Sequence, residues 1–418
     1  MAEPKRESAW VYLDAAELGD LSLVGVLSHD RVRGKAALSF EYDQTWLQTG
    51  AAFTLDPGLA LYRGEQYPAR GQFGIFLDSA PDRWGRVLME RREALFAGRE
   101  GRAVRTLGDW SFLLGVHDHA RLGALRFRTE PGGPFVDDSE LSAPPVARLR
   151  ELEESARRLE EPDAEERPAY AEWLALLTAP GSSLGGARPK ASFTDEDGTL
   201  WLAKFPSRED RRDVGAWELL LHELAADVGI EVAPARLLSL SPRYRTYCSR
   251  RFDRVADGRR MFASAMTLVD RRDGEEGASY LDLAQLIQDQ GAPGAIEADL
   301  AQLFRRLVFN IMVGNRDDHL RNHGFVRLAA GWRLAPAFDM NPTAEVDEHA
   351  LAIDERQTRP DLQVALETAG FYRLSRADAE RIRDEVAAVV ASWEARARGL
   401  DLSRAEIARM KPAFNEGR

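Results

Sequence analysis

Cysteine is almost absent from this chain of 418 residues, which contains only Cys248. A single cysteine excludes disulfide bonds within the chain and argues against thiolate zinc sites. The seven histidines show no spacing typical of metal ligands. The sequence therefore gives no indication of a disulfide or zinc scaffold.

Long apolar runs and an excess of basic residues are missing as well. No apolar run reaches the length that crosses a bilayer, and residues 1–8 are polar and charged, without the apolar segment of a signal peptide. The net charge of −12 argues against broad nucleic-acid binding. We expect a cytoplasmic protein of two or three domains that binds no membrane and no DNA by itself.

Residues suited to chemistry are concentrated at 315–322, with the sequence NRDDHLRN, and at Asp339. An acid followed five positions later by Asn, and then by a second acid beyond two short strands, is the arrangement of a kinase catalytic loop. This spacing assigns Asp317 as the base that takes the proton of the acceptor hydroxyl. Asn322 and Asp339 are predicted to bind Mg²⁺, which prefers oxygen ligands.

Two other interpretations of this stretch stay open. Asp318 is a rival for the base, although only Asp317 stands five positions before Asn322. Asp and Asn also favour turns, so the octapeptide could be a polar cap on an apolar helix that precedes it. A hairpin predicted from residues 324–328 and 332–335 favours the kinase interpretation, because it returns the chain towards the second acid.

A second group of candidates lies at residues 180–191, with the sequence PGSSLGGARPKA. Small residues let backbone N–H groups approach phosphate oxygens closely, and the two basic residues add positive charge. The stretch does not match the pattern of P-loop NTPases. It predicts a phosphate-covering loop. The predicted contacts are Gly185, Gly186, Ala187, Arg188 and Lys190.

A strand and a helix complete the predicted nucleotide site. The strand ends near Lys204, and a helix predicted over 214–228 carries Glu218 in its first turns. A strand Lys paired with a helix Glu is the kinase device that holds the α- and β-phosphates. Glu209 and Glu223 are competitors for the role of Glu218.

The remaining patterns place strands early and helices late. Strands are predicted within 10–47 and at 234–240 and 244–252, a linker at 129–145, and helices at 103–116, 146–159, 165–177, 281–290, 295–314, 377–399 and 404–410. This order predicts an α+β, two-lobed, protein-kinase-like fold with a small β-rich N-terminal subdomain and an all-helical C-lobe. The predicted domains are the N-terminal subdomain at 1–130, the kinase N-lobe at 146–255 and the C-lobe at 256–418.

Together these motifs resemble the HipA family, the kinase toxins of bacterial HipBA-type toxin–antitoxin modules. The resemblance covers nearly the whole chain. It rests on SLGGARPK at 183–190, Lys204, RFDR at 251–254, DDHLRN at 317–322 and Asp339. In the family the catalytic loop reads Asp-Gly-His-x-Lys-Asn, so Asp318 and Arg321 depart from it. Both departures leave the base, the His and the Asn in place.

The resemblance implies further roles for individual residues. Lys204 would contact the ATP phosphates, and His319 would lie close to the γ-phosphate. Arg250 and Phe252 would line the hinge that binds adenine.

The two serines of the loop have a further implied role. Ser183 matches the serine whose autophosphorylation ejects the loop from the ATP site and silences the kinase, and Ser182 is close enough to share that role. A phosphoserine carries about two negative charges, so the γ-phosphate would repel it. Two ordinary turn serines are the alternative interpretation.

The resemblance also implies cofactors and partners. ATP and Mg²⁺ would be the cofactors, and the substrate would be a protein serine, typically on an aminoacyl-tRNA synthetase. A HipB-like helix-turn-helix antitoxin would neutralise the kinase and mediate any contact with DNA. Two other functions are compatible with the motifs: a small-molecule kinase of the same fold, such as an aminoglycoside or choline kinase, and a kinase-shaped corepressor without transfer activity.

Overall fold

The computed structural model describes residues 6–32, 35–137, 143–178, 186–256 and 258–414. Contacts within the chain divide it into two compact units. Unit 1 contains Met1–Arg208 and Asp253–Ala263, and unit 2 contains Glu209–Phe252 and Ser264–Arg418. The predicted division into three domains stays a prediction.

The described part of the chain contains thirteen strands and fourteen α-helices, in agreement with the predicted α+β class. The strands are β1 (Arg6–Leu13), β2 (Ser22–Val32), β3 (Lys35–Tyr42), β4 (Leu125–Arg128), β5 (Lys190–Thr194), β6 (Leu200–Lys204), β7 (Ala235–Leu238), β8 (Thr246–Arg250), β9 (Arg254–Val255), β10 (Gly258–Arg259), β11 (Phe262–Ser264), β12 (Gly324–Leu328) and β13 (Gly331–Leu334).

The helices span from five turns in α3 and α10 to single turns. They are α1 (Gln44–Gln48), α2 (Gly74–Asp78), α3 (Arg83–Glu100), α4 (Asp109–Leu114), α5 (Leu149–Leu159), α6 (Tyr170–Thr178), α7 (Val214–Asp227), α8 (Ala265–Leu268), α9 (Tyr280–Gln290), α10 (Ile296–Val313), α11 (Leu362–Glu367), α12 (Arg376–Val390), α13 (Trp393–Gly399) and α14 (Arg404–Met410). None of these helices combines the length and the hydropathy that a membrane crossing requires.

An antiparallel sheet with the strand order β3-β2-β1-β4 forms the first part of unit 1. Along β1 the inward side chains alternate, because successive residues of a strand point to opposite faces. Ala9, Val11 and Leu13 are buried. Phe127 of β4 meets Phe76 with ring centroids 6.1 Å apart, so α2 covers this face of the sheet.

Helix α10 is the central element of unit 2. Its apolar residues Leu303, Phe304, Leu307 and Ile311 are fully buried. The helix ends at Gly314, which has a φ of 64° and whose N–H bonds to the last carbonyls of the helix. A glycine in the left-handed region is a common way to end a helix, and here it directs the chain into the predicted catalytic loop.

Three predictions of local structure need correction. The helix predicted at 103–116 is only α4, because Gly108 and Gly115 bound it. The helix predicted at 377–399 is divided into α12 and α13, where the Ser392 hydroxyl donates to the Val389 carbonyl at 2.7 Å and competes with the helical hydrogen bonds. The C-terminal region is also not all helical, since β12 and β13 form the hairpin predicted before Asp339.

Gly314 generates a stability prediction. A Cβ atom at this position would lie 2.7 Å from both Cβ and the carbonyl oxygen of Ala413, whereas one at Gly294, which also has a positive φ, would meet nothing within 4 Å. Gly294→Ala should therefore cost only the backbone strain of about 1–2 kcal/mol. Gly314→Ala should cost about 1–3 kcal/mol more, because it adds overpacking. Urea unfolding of both variants measures the difference, and equal losses would contradict a tight contact at Ala413.

Candidate active site

The predicted catalytic loop follows α10 directly and is compact. Residues Leu320–Asn322 form a 3₁₀ turn, and the Asn322 N–H bonds to the His319 carbonyl at 2.8 Å. The chain then enters β12. Asn322 stands five positions after Asp317 in sequence, and the turn brings the two residues together.

The two neighbouring acids of the loop have different environments. Asp317 is exposed, whereas Asp318 is buried. The Oδ2 atom of Asp318 accepts hydrogen bonds from the Tyr280 hydroxyl, from Asn310 Nδ2 at 3.0 Å and from His323 Nε2 at 2.9 Å. Burial alone would raise the pKa of Asp318, but the charge and hydrogen bond of His323 and the bond from Tyr280 hold it below its usual range. The Asp318 carboxylate is therefore occupied by hydrogen bonds inside unit 2, whereas the Asp317 carboxylate is accessible to solvent.

Asn322 is fixed by the backbone of its own loop. Its Nδ2 donates to the Asp317 carbonyl at 2.9 Å. A carbonyl can only accept, so the amide nitrogen must face it and Oδ1 must point the other way. Among the described residues no donor bonds to Oδ1, and this oxygen fits the role of a Mg²⁺ ligand.

Asp339 lies on the segment that follows β13. Its φ of 59° is in the left-handed region, which Asp tolerates better than most residues. Although the Asp317 side chain reaches solvent, partial desolvation by the surrounding protein raises its pKa. The charge of His319 lowers this pKa and the charges of Asp339 and Asp318 raise it, with a net upward shift. The charges of His319 and Asp339 therefore both act on the Asp317 carboxyl.

The predicted metal ligands are few. Within the described ranges, no group of three or more His, Cys, Asp or Glu side chains is arranged to hold a metal ion. The predicted pair contains one carboxylate and one amide. Such a pair fits an ion that takes further oxygen ligands from phosphates and water, as Mg²⁺ does.

The predicted hinge residues end β8. Arg250 is the last residue of the strand and is exposed. Phe252 stacks on Phe338 with ring centroids 5.6 Å apart and an interplanar angle of 25°. Because Phe338 precedes Asp339, the stack connects the end of β8 with the segment that carries the predicted metal ligand.

The predicted phosphate-binding residues lie in unit 1. Strand β5 begins at Lys190, so the loop predicted to continue through residue 191 ends earlier. Lys190 stands opposite Lys204 across the β5–β6 hairpin, and its Nζ lies 2.7 Å from Asp82 Oδ2. Gly186 has a φ of 107°, and its carbonyl accepts from the Trp84 N–H at 3.4 Å.

The structure describes only part of this group. Ala187 is exposed and Arg188 is half-buried, whereas Ser182, Ser183 and Gly185 lie outside the described residues. Glu218 is buried on α7 and belongs to unit 2, so its pairing with Lys204 of unit 1 stays a prediction.

Comparison with known proteins identifies the family to which this chain belongs. The family model of the HipA-like C-terminal domain matches residues 182–393, just over half of the chain. The chain belongs to the HipA family. The serine/threonine-protein kinase toxin HipA of Shewanella oneidensis is 24% identical over 390 residues, which cover 85% of this chain and 81% of that protein. Y4mE of Sinorhizobium fredii, whose name assigns it to the kinases, is 25% identical over 353 residues, which cover 78% and 76% of the two chains.

A solved structure extends the likeness to the fold of this HipA-family member. HipA of Shewanella oneidensis, in a complex with HipB and its operator DNA, superposes with a TM-score of 0.68 at 20% identity, covering 99% of this chain and 95% of that one. The predicted kinase-like α+β fold is thereby confirmed. As a member of this family, the protein is a kinase by class.

Several residues that shape the site of this HipA-family kinase are not among the predicted ones. The predictions include neither the contact of Asp82 with Lys190 nor the contacts of Tyr280, Asn310 and His323 with Asp318. Asn310 did carry a signal, because it is a polar residue within the apolar run of α10. Asp82 and Tyr280 lie too far from their partners in sequence for spacing to indicate them, at 108 and 38 residues.

A second polar contact holds the loop from the other side. His349 Nε2 lies 2.6 Å from Arg316 Nη1. Burial lowers the pKa of His349 to about 4, and the charge of Arg316 contributes to this shift. His349 is therefore neutral near pH 7 and can accept a hydrogen bond from the guanidinium.

Proposed function

We propose that this HipA-family kinase transfers the γ-phosphate of ATP to a serine or threonine hydroxyl of a protein, with Asp317 as the base. The observation that carries this proposal is the contrast within the loop. Asp317 is exposed and has a raised pKa, whereas Asp318 is buried among three donors. A base needs access to the acceptor hydroxyl and a pKa closer to the working pH.

Asn322 and Asp339 are the proposed Mg²⁺ ligands. Bound Mg²⁺ would neutralise phosphate charge and orient the γ-phosphate. Asn322 presents Oδ1, since its Nδ2 is occupied by the Asp317 carbonyl. His319 is proposed to lie near the γ-phosphate, and its Nδ1 is buried without a hydrogen-bond partner in the described chain.

Residues of unit 1 are proposed to contact the ATP phosphates. Lys204 supplies positive charge at the end of β6. The backbone of Gly185, Gly186 and Ala187, with the side chains of Arg188 and Lys190, would cover the phosphates.

Three residues of unit 2 have proposed roles as well. Glu218 would orient Lys204, and Arg250 and Phe252 would contact adenine.

Substitution of the two acids tests this proposal. Asp317→Asn and Asp339→Asn should each lower the rate of phosphate transfer by about 10²- to 10⁴-fold, because one removes the base and the other a metal-binding charge. Asn tolerates the left-handed region, so the backbone at 339 should persist. Transfer from labelled ATP with Mg²⁺ measures the rate.

Asp401→Asn is the matched control for these variants. Asp401 also has a positive φ, of 55°, and it is exposed in the same unit. This variant should retain full activity. An Asp317→Asn enzyme as active as the wild type would contradict the assignment of the base.

We also propose that Ser183 is autophosphorylated and that this modification silences the kinase. Its physical basis is the repulsion between a loop phosphate and the γ-phosphate. After incubation with ATP and Mg²⁺, phosphopeptide mass spectrometry should find the phosphate on Ser183. Ser183→Ala should lose most of the label and stay active over time, whereas Ser182→Ala should behave like the wild type. Unchanged label in Ser183→Ala would contradict this prediction.

The biological role that we propose is that of a toxin with a HipB-like helix-turn-helix antitoxin, through which it would contact DNA. The support is the Shewanella HipA, which was solved with HipB and operator DNA. The substrate class that we propose is an aminoacyl-tRNA synthetase.

Expression of the kinase alone should arrest bacterial growth, and Asp317→Asn or co-expression of the antitoxin should relieve the arrest. Phosphoproteomics of arrested cells identifies the substrate, and equal arrest by wild type and Asp317→Asn would contradict a kinase toxin.

A further inference from the structure

A series of three hydrogen bonds, two of them fully buried, connects the loop of Asp317 with the segment of Asp339. It begins at Asp318, which accepts from Asn310 Nδ2 at 3.0 Å. Asn310 Oδ1 accepts from Asn315 Nδ2 at 3.1 Å. Asn315 Oδ1 in turn accepts from the backbone N–H of Asn341 at 3.3 Å. Each bond uses a different atom, so the three bonds can exist at the same time.

The two ends of this series stand next to the two acids. Asp318 follows Asp317 directly, and Asn341 lies two residues after Asp339. The backbone provides a parallel connection, because the Thr343 N–H bonds to the Gly314 carbonyl at 2.9 Å. Hydrogen bonds therefore connect a residue close to each acid with the same buried side chain, Asn310 of helix α10.

We propose that Asp318 and Asn310 are positioning residues that set the distance between the base Asp317 and the metal-binding Asp339. This inference rests on the proposed kinase function. Transfer rates are sensitive to such positions, since a displacement of about 1 Å can cost about 100-fold. A buried carboxylate that has all its donors is held rigidly, because loss of any donor leaves an unsatisfied charge.

The network depends on the side chain at position 318, because a residue without a polar side chain there could accept none of these hydrogen bonds. Here a carboxylate with three donors from different parts of unit 2 occupies the position. Tyr280 is the donor farthest from Asp318 in sequence, at 38 residues, so its hydrogen bond joins a distant part of unit 2 to the loop.

The test compares kcat and the ATP KM of three variants. Asp318→Ala should lower kcat by about 10- to 100-fold with little change in KM, because the acids shift while nucleotide contacts remain. Asp318→Asn should restore most of kcat, since its Oδ1 can still accept from Tyr280 and Asn310. Tyr280→Phe removes one donor and should lower kcat by less than Asp318→Ala, and it replaces the Ala variant if that variant does not fold.

A second buried carboxylate provides the control for stability. Asp299 on α10 is also buried, and it bonds to Arg333 Nε at 2.9 Å and to the Leu334 N–H at 3.0 Å. Asp299→Asn should lower the melting temperature but leave kcat of the folded enzyme unchanged. Melting followed by circular dichroism sets the assay temperature at which every variant is folded.

The outcomes separate this inference from the proposed function. A wild type without transfer activity would overturn the proposed function and the inference with it. An active wild type whose Asp318→Ala and Tyr280→Phe variants keep full kcat, and only melt earlier as Asp299→Asn does, would overturn the inference alone. A loss of kcat in both variants with rescue by Asp318→Asn would support it.

Discussion

The burial of the Asp318 carboxylate is the constraint on which the geometry of the loop depends. Removal of a charge from water costs several kcal/mol unless hydrogen-bond donors replace the solvent. The donors come from the start of α9, from α10 and from His323 just before β12. These elements must therefore meet at one point, and the loop between α10 and β12 has little freedom to adopt another path.

The same constraint explains why Asp317 is exposed. Asn315 and Arg316 are both buried, the first bonded to Asn310 and the second in contact with neutral His349. Asp318 is buried on the other side. With its neighbours fixed in the interior, the backbone turns the Asp317 side chain outwards. The location of the proposed base is thus a consequence of the packing of residues that take no part in the chemistry.

Local patterns in the sequence predicted what local forces determine. Helix α14 has the predicted bounds, because Ser403 and Glu406 form a capping box at its start. The hairpin of β12 and β13 also lies where alternation placed it. Contacts between distant residues could not be predicted in this way. Lys190 and Asp82 are 108 residues apart, and nothing in the loop sequence indicates that α3 supplies the partner of Lys190.

The ion pair of Asp82 and Lys190 explains how two lysines can stand opposite each other in one hairpin. Like charges at directly opposed positions of an antiparallel pair destabilise it, and Lys190 opposes Lys204. Asp82 compensates one of these charges at 2.7 Å while it also caps α3 by accepting from the Gly85 N–H. Lys190 is buried and its ammonium bonds to Asp82, so this contact joins the end of the Gly-rich loop to the start of α3. Any phosphate that Lys190 contacts must therefore approach a charge that Asp82 already holds in place, so the loop and the start of α3 function as one support.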